Sequence, residues 1–211
     1  MRRSVNREDL RGGISRRSFL RGTGAAAAAS AALETALASV AEAAADVAAP
    51  RVVGPDATPL TLRVNGATRM VAVEPRATLA DVLRGPLGLT GTKIGCDRGA
   101  CSACTVLLNG APVASCSILA IDVGDRAITT IEGLARDGAL HPVQEAFIAH
   151  DALQCGFCTP GLALSCAALL ERVPHPTEAD IKAAISGHLC RCGAYQHVTE
   201  AVLAAAEARR G

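Results

Sequence analysis

Cys96-Asp97-Arg98-Gly99-Ala100-Cys101-Ser102-Ala103-Cys104 decides how the rest of this chain is read. With Cys116 it forms the quartet Cys96-x4-Cys101-x2-Cys104-x11-Cys116, and a second, unlike quartet follows as Cys155-x2-Cys158-x31-Cys190-x-Cys192. Eight of the nine cysteines are thereby used. Grouped thiolates are donors for soft metal centres, and C-x4-C-x2-C with a distant fourth cysteine is a spacing that holds a [2Fe–2S] cluster. The first quartet has that spacing without a gap. Two such sites in one chain describe a conductor of electrons.

Around the quartets the chain is plain. Of 211 residues half are hydrophobic, but with three Phe, one Tyr and no Trp the cores must be packed from Leu, Ile, Val and Ala. The formal charge of +1 is unevenly spread: residues 1–21 supply +5 and the remainder −4. The body therefore carries no basic stripe, which argues against a nucleic-acid partner. The basic start contains Ser15-Arg16-Arg17-Ser18-Phe19-Leu20-Arg21, a twin-arginine signal, followed by an uncharged, alanine-rich run over residues 22–33 and by small-residue cleavage options such as Ala36-Leu37-Ala38 and Ala43-Ala44-Ala45. The apolar run is too short to span a bilayer. Residues 1–45 are thus expected to be an export signal that carries a folded protein to the periplasm, with no stable membrane insertion, and residues 46–59 a linker.

The remainder divides in two. Over 60–134 the pattern predicts strands at 60–65 and 69–73 around Asn65-Gly66, a short helix capped by Thr78 and Asp81, strands at 105–108 and 113–116 around Asn109-Gly110, and a strand at 128–131. Over 135–211 it predicts helices at 142–150, 160–171 with Thr159 as cap, 177–186 and 194–209. The expected class is α+β: a ferredoxin-like sheet domain with the first quartet in a loop, then a four-helix domain with the second quartet at helix ends, where the local potential favours thiolate.

Other uses of the cysteines are weaker. Disulfides suit an exported chain, but nothing in the spacing selects a pairing, and Cys190-x-Cys192 is poorly placed to bridge to itself. Zinc ribbons pair one C-x2-C with another of similar spacing, whereas here the partners are Cys96 with Cys116, and a C-x-C. The five histidines offer no pair at the spacing of a Rieske-type site. Cys166 falls on a helical stripe with Leu162, Leu169, Leu170 and Val173 and reads as a small core residue. His188 reads as a helix-end cation in preference to a residue supporting the cysteine ligands, and Asp97 and Arg98 read equally as groups that set the local charge or as solvated loop residues. Glycines at 91, 95, 99, 156, 161, 187 and 193 crowd the quartets, where small residues let backbone N–H groups approach sulfur. No phosphate loop, dinucleotide fingerprint or nucleophile–base pair is evident, so no catalytic residue is assigned to this chain.

Four motifs together resemble one family. Gly91-Thr92-Lys93-Ile94-Gly95-Cys96, Cys101-Ser102-Ala103-Cys104-Thr105-Val106, Gln154-Cys155-Gly156-Phe157-Cys158-Thr159-Pro160-Gly161 and Cys190-Arg191-Cys192-Gly193 are similar to the iron–sulfur subunit of the molybdenum hydroxylases, the xanthine oxidase family. The resemblance runs over about residues 60–205 and, with the export signal, looks most like the small subunit of a periplasmic aldehyde oxidoreductase. It implies a β-grasp domain and a four-helix bundle, each with one [2Fe–2S] cluster. It also implies a separate large subunit holding a molybdopterin cofactor, often as the cytosine dinucleotide, and an FAD subunit or a cytochrome as onward acceptor. By the same resemblance, Cys155, Cys158, Cys190 and Cys192 bind the cluster nearer the pterin, with Cys192 and Gln154 lining the pterin side, while Cys96, Cys101, Cys104 and Cys116 bind the outer one. The implied reaction, on the other subunit, is oxidation of an aldehyde to a carboxylic acid, with an N-heterocycle as the alternative substrate and a free-standing electron carrier as the alternative role. The family often has glycine at the position of Ser102 and Thr-Gly-Tyr at that of Gly193-Ala194-Tyr195; the second departure recurs in members like the periplasmic aldehyde enzymes.

Overall fold

Two Asn-Gly turns organise the sheet. In the computed structural model, which describes residues 53–209 together with Arg17, Asn65 and Gly66 take φ of 51° and 78°, and Asn109 and Gly110 take 48° and 81°. Two successive left-handed residues make the tight turn whose twist matches a hairpin. The first joins β1 (Thr58–Val64) to β2 (Ala67–Val73), and the second joins β3 (Thr105–Leu108) to β4 (Ala111–Ala114), each pair antiparallel. The expected strand at 113–116 therefore starts two residues earlier. The turn forces pairing from Ala111 onward, and Pro112 is tolerated because β4 is an edge strand. Residues 115–117 then wind into a 3-10 turn that carries Cys116.

The strand order is β2-β1-β5-β3-β4, with β5 (Ala127–Thr129) parallel to β1 and antiparallel to β3. Both turn asparagines also pin β5. Asn109 Oδ1 accepts the Ala127 N–H at 2.8 Å, and Asn65 Oδ1 accepts the Thr130 N–H at 2.9 Å. The strand expected at 128–131 stops at Thr129, and residues 131–133 form a 3-10 turn instead. Helix α1 (Leu79–Arg84) is closed by a reciprocal Thr78–Asp81 capping box and lays Leu79, Val82 and Leu83 on Leu62, Val64, Val106 and Ile128 of the sheet.

The helices are α2 (Pro142–Ala149), α3 (Thr159–Arg172), α4 (Glu178–Ile185) and α5 (Tyr195–Ala208). Helix α3 is buried nearly all round, from Gly161 to Leu170, so it forms the axis of the bundle. Cys166 lies there, fully buried. Thr159 is the first helical residue of α3 rather than its cap; Cys158 takes the cap position. The sheet and the bundle share a core, because Leu107 of β3 and Leu134 of the connection belong to the same buried cluster as Phe147, Leu164 and Val202. From Val53 onward the chain is one compact unit. No helix among the described residues is long and apolar enough to cross a membrane. The export signal expected over residues 1–45 lies outside the described residues, Arg17 apart.

Candidate metal centres

The first quartet sits in the loop between α1 and β3 and in the turn after β4. Cys96 and Cys101 are half-buried, and Cys104 and Cys116 are buried against Ala80 of α1. Asp97 and Ser102 take left-handed φ of 54° and 56°, so the loop curls and turns its N–H groups inward. Ala100 N–H donates to Cys96 Sγ at 3.2 Å, and Gly99 N–H donates to Cys116 Sγ at 3.3 Å. The Arg98 N–H, with smaller help from Cys101 and Ala100 against desolvation, brings the Cys96 thiol from its usual 9.0 down to about 7. Burial pushes Cys104 up to about 11.

The second quartet is built from two segments far apart in sequence. Cys155 lies exposed in the loop before α3, and Cys158 is buried at the cap of that helix. Cys190 is half-buried and Cys192 exposed in the link between α4 and α5. The Phe157 N–H, then the Cys192 side chain, lowers the Cys155 thiol. At Cys190 desolvation pulls upward, but the Ala194 N–H, the Cys158 side chain and the N–H groups of Cys192 and Gly193 together outweigh it, and the thiol is lowered. Burial, reinforced by Cys190, pushes Cys158 up to about 12. At Cys192 the lowering effect of the Cys155 N–H is outweighed by the Cys155 side chain and desolvation, and the thiol is raised.

The donor set fits a binuclear cluster. Each thiol has a principal thiol partner, Cys96 with Cys101, Cys104 with Cys116, Cys155 with Cys192 and Cys158 with Cys190, and in the second quartet Cys155 and Cys190 also act on each other's partners. A [2Fe–2S] core asks for two thiolate pairs, one on each iron. Among the described residues no three or more His, Cys, Asp or Glu side chains converge as donors to one ion, and all nine cysteines are free thiols. The N–H groups aimed at sulfur are the outer contacts such a core requires. Each quartet combines an accessible thiol drawn toward thiolate, Cys96 or Cys155, with a buried thiol, Cys104 or Cys158, that metal coordination alone would deprotonate.

The two sites share a wall. The Leu189 N–H, one residue before Cys190, donates to the Cys101 carbonyl at 3.1 Å. At Gly161 a Cβ would stand 2.5 Å from the Ser102 carbonyl oxygen, so only glycine lets α3 come this close to the first loop. The Phe157 ring reaches to 3.5 Å from where a Cβ on Gly95 would be. His188 is not the expected helix-end cation. It is 5% exposed, its Nε2 lies 2.8 Å from Ser165 Oγ, and burial lowers it to about 4, so it is neutral. Tyr195, Leu189, Ser165 and Phe157 are site residues to which sequence reasoning gave no role, although Phe157 and Tyr195 stand within the motifs quoted from it. Only the proximity of three of them to cysteines in sequence hinted at them, and nothing marked Ser165. Leu153, Gln154, Cys155, Phe157, Leu189, Arg191 and Cys192 are exposed, and their two segments meet at the Cys155–Cys192 pair. A cavity of about 830 Å³ between the β3–β4 turn, the 133–142 connection and α3 contains none of the eight cysteines.

A sheet domain and a helical domain, each gathering four thiols in pairs and joined by a backbone hydrogen bond, define a two-centre iron–sulfur electron carrier. Residues 62–129 match the 2Fe-2S iron-sulfur cluster binding domain, and residues 130–203 match the [2Fe-2S] binding domain. The chain is 53% identical over 148 residues to the nicotine 6-hydroxylase small subunit of Paenarthrobacter nicotinovorans, covering 70% of this chain and 89% of that one. It is 45% identical over 163 residues to the aldehyde oxidoreductase iron-sulfur-binding subunit PaoA of Escherichia coli (strain K12), covering 70% and 71%. The crystal structure of quinoline 2-oxidoreductase from Pseudomonas putida 86 superposes with a TM-score of 0.70 at 43% identity, over 74% of this chain and 98% of that one. The chain belongs to the iron–sulfur small subunits of the molybdenum hydroxylases, and its role is electron transfer within an oxidoreductase.

Proposed function

We infer that Cys96, Cys101, Cys104 and Cys116 hold one [2Fe–2S] cluster and that Cys155, Cys158, Cys190 and Cys192 hold another. The observation that carries this reading is the set of backbone N–H groups aimed at sulfur in both quartets, Gly99 on Cys116, Ala100 on Cys96 and Ala194 on Cys190. When bound, such a cluster stores one electron at a time. The chain's own part is to hold the two centres at a set separation, which the Leu189–Cys101 hydrogen bond and the Gly161 contact do. The exposed segments around Cys155 and Cys192, with Gln154, present the face toward a large subunit carrying molybdopterin as the cytosine dinucleotide. The exposed loop of Asp97, Arg98, Gly99 and Ala100 presents the exit face, toward an FAD subunit or a cytochrome.

The substrate of the assembly is an aldehyde, oxidised to the carboxylic acid on the large subunit; the likeness to PaoA and the Gly193-Ala194-Tyr195 motif support this. The 53% identity to the nicotine 6-hydroxylase subunit favours an N-heterocycle as the second reading. The twin-arginine motif supports a periplasmic location reached in the folded state. One experiment tests the function. The purified assembly is incubated without oxygen with an aldehyde or with an N-heterocycle, and the reduced-cluster paramagnetic signals are followed. Two distinct [2Fe–2S] signals growing with aldehyde are expected, and Cys101→Ser and Cys158→Ser each remove a different one. Signals raised only by the heterocycle overturn the aldehyde assignment; no signal with any reductant overturns the clusters.

A further inference from the structure

Tyr195, the single tyrosine of the chain, opens α5 and reaches back over the loop of Cys190. Its hydroxyl oxygen accepts the Cys190 backbone N–H at 2.7 Å, and its O–H donates to the His188 carbonyl at 3.0 Å. One turn on, Thr199 Oγ1 donates to the Tyr195 carbonyl at 2.9 Å and fixes the turn from which the ring projects. The same three-residue stretch is held from two other directions, by Ser165 on the His188 ring and by the Cys101 carbonyl on the Leu189 N–H.

Cys190 is therefore treated unequally at its two ends. Its sulfur receives the Ala194 N–H at 3.5 Å. Its own N–H, a short distance along the backbone from that sulfur, is taken by the phenol. Backbone N–H groups directed at cluster sulfurs stabilise the added electron and so raise the reduction potential. An N–H committed elsewhere does not contribute.

We propose that Tyr195 is a positioning residue that withholds the Cys190 N–H from the sulfurs of the second centre and thereby keeps that centre's reduction potential low. The hydrogen bonds of Tyr195 all lie within residues 188–199, and none goes to the first quartet. The effect is thus specific to the centre of Cys155, Cys158, Cys190 and Cys192. This rests on the cluster reading above.

The test is a redox titration of the purified assembly, following both [2Fe–2S] signals by paramagnetic resonance, with the second centre assigned from its loss in Cys158→Ser. Three proteins are compared with the wild type: Tyr195→Phe, a protein carrying 3-fluorotyrosine at position 195, and Thr199→Val. The fluorinated ring keeps its shape while its oxygen becomes a weaker acceptor. The expected result is a rise in the midpoint potential of the second centre in Tyr195→Phe, a smaller rise with fluorotyrosine, and no change in the first centre. Thr199→Val, which loosens the turn carrying the ring but keeps the phenol, is expected to raise the second centre's potential less than Tyr195→Phe and to leave the first unchanged. Unchanged potentials, or an equal shift of both centres, overturn the proposal. Should Tyr195→Phe lose its second centre, the fluorotyrosine protein decides. A wild-type assembly without two [2Fe–2S] signals would instead defeat the underlying reading.

Discussion

Gly161 and His188 carry the most consequence for single side chains. A methyl group at Gly161 cannot coexist with the Ser102 carbonyl oxygen 2.5 Å away, and the obstacle is backbone that does not rotate aside. Gly161→Ala is expected to destabilise by about 1–3 kcal/mol, as overpacking does, and to weaken the interaction between the two reduced centres; thermal unfolding and the splitting of the paramagnetic signals measure the two effects. At His188 the linkage has a definite sign. Burial lowers its pKa from 6.5 to about 4, so between those values the unfolded chain binds the proton that the folded one refuses. Its contribution to stability is complete above about pH 6.5 and is lost as pH falls toward about 4. Denaturant titrations at several pH values are expected to show this fall in the wild type and a flatter profile in His188→Asn. The glycine was visible in the sequence as a small residue near thiols. The histidine was misread, because helix-end position is a local property and burial among α3 and α4 is not.

Among elements, the hairpins show how far local rules reach. Asn65-Gly66 and Asn109-Gly110 announced their turns, and Thr78 with Asp81 and Thr177 with Asp180 announced their capping boxes, all of which form. What those motifs did not announce is the second use of each asparagine, which clamps one end of β5 from 18 or 65 residues away. Asn65→Ala removes both the left-handed preference and the acceptor for the Thr130 N–H. A loss of about 1–3 kcal/mol is expected from the unpaired N–H of buried Thr130, and Asn65→Asp, which keeps the acceptor oxygen, is expected to lose less. Equilibrium unfolding compares them; equal losses would mean that the Asn65 Nδ2 donor to Thr130 Oγ1 at 2.9 Å, which both variants lack, carries the effect rather than the acceptor oxygen.

At the scale of the whole molecule, sheet and bundle meet along β3 and α3, and the loops of the two quartets touch through the Leu189–Cys101 hydrogen bond and the approach of Gly161 to Ser102. Metal binding should therefore stabilise the two domains together. Removal of iron leaves Cys104 and Cys158 as buried thiols, pushed up to about 11 and about 12, and removes the tie across the 31 residues that separate Cys158 from Cys190. The iron-free protein is expected to unfold at a lower temperature, and rebuilding with iron and sulfide to return about four irons per chain. Iron analysis and calorimetry check this. A return of only about two irons, with one signal restored, would show that one quartet does not hold a cluster.

By itself the sequence marked out two cysteine quartets, the α+β order of the elements, both Asn-Gly turns and the Thr78 and Thr177 capping boxes. Each of these is written in spacings of a few residues and in the intrinsic preferences of Asn, Gly, Thr and Asp. Only the tertiary structure decided that Cys155 pairs with Cys192 and Cys158 with Cys190, that Leu189 donates to the Cys101 carbonyl, that His188 is neutral, and that Tyr195 holds the Cys190 N–H. Except for the Tyr195 contact, these depend on packing α3, the 186–194 link and the first cysteine loop against one another. That approach is set by the shape of buried surfaces rather than by any local motif, and so no local pattern records it.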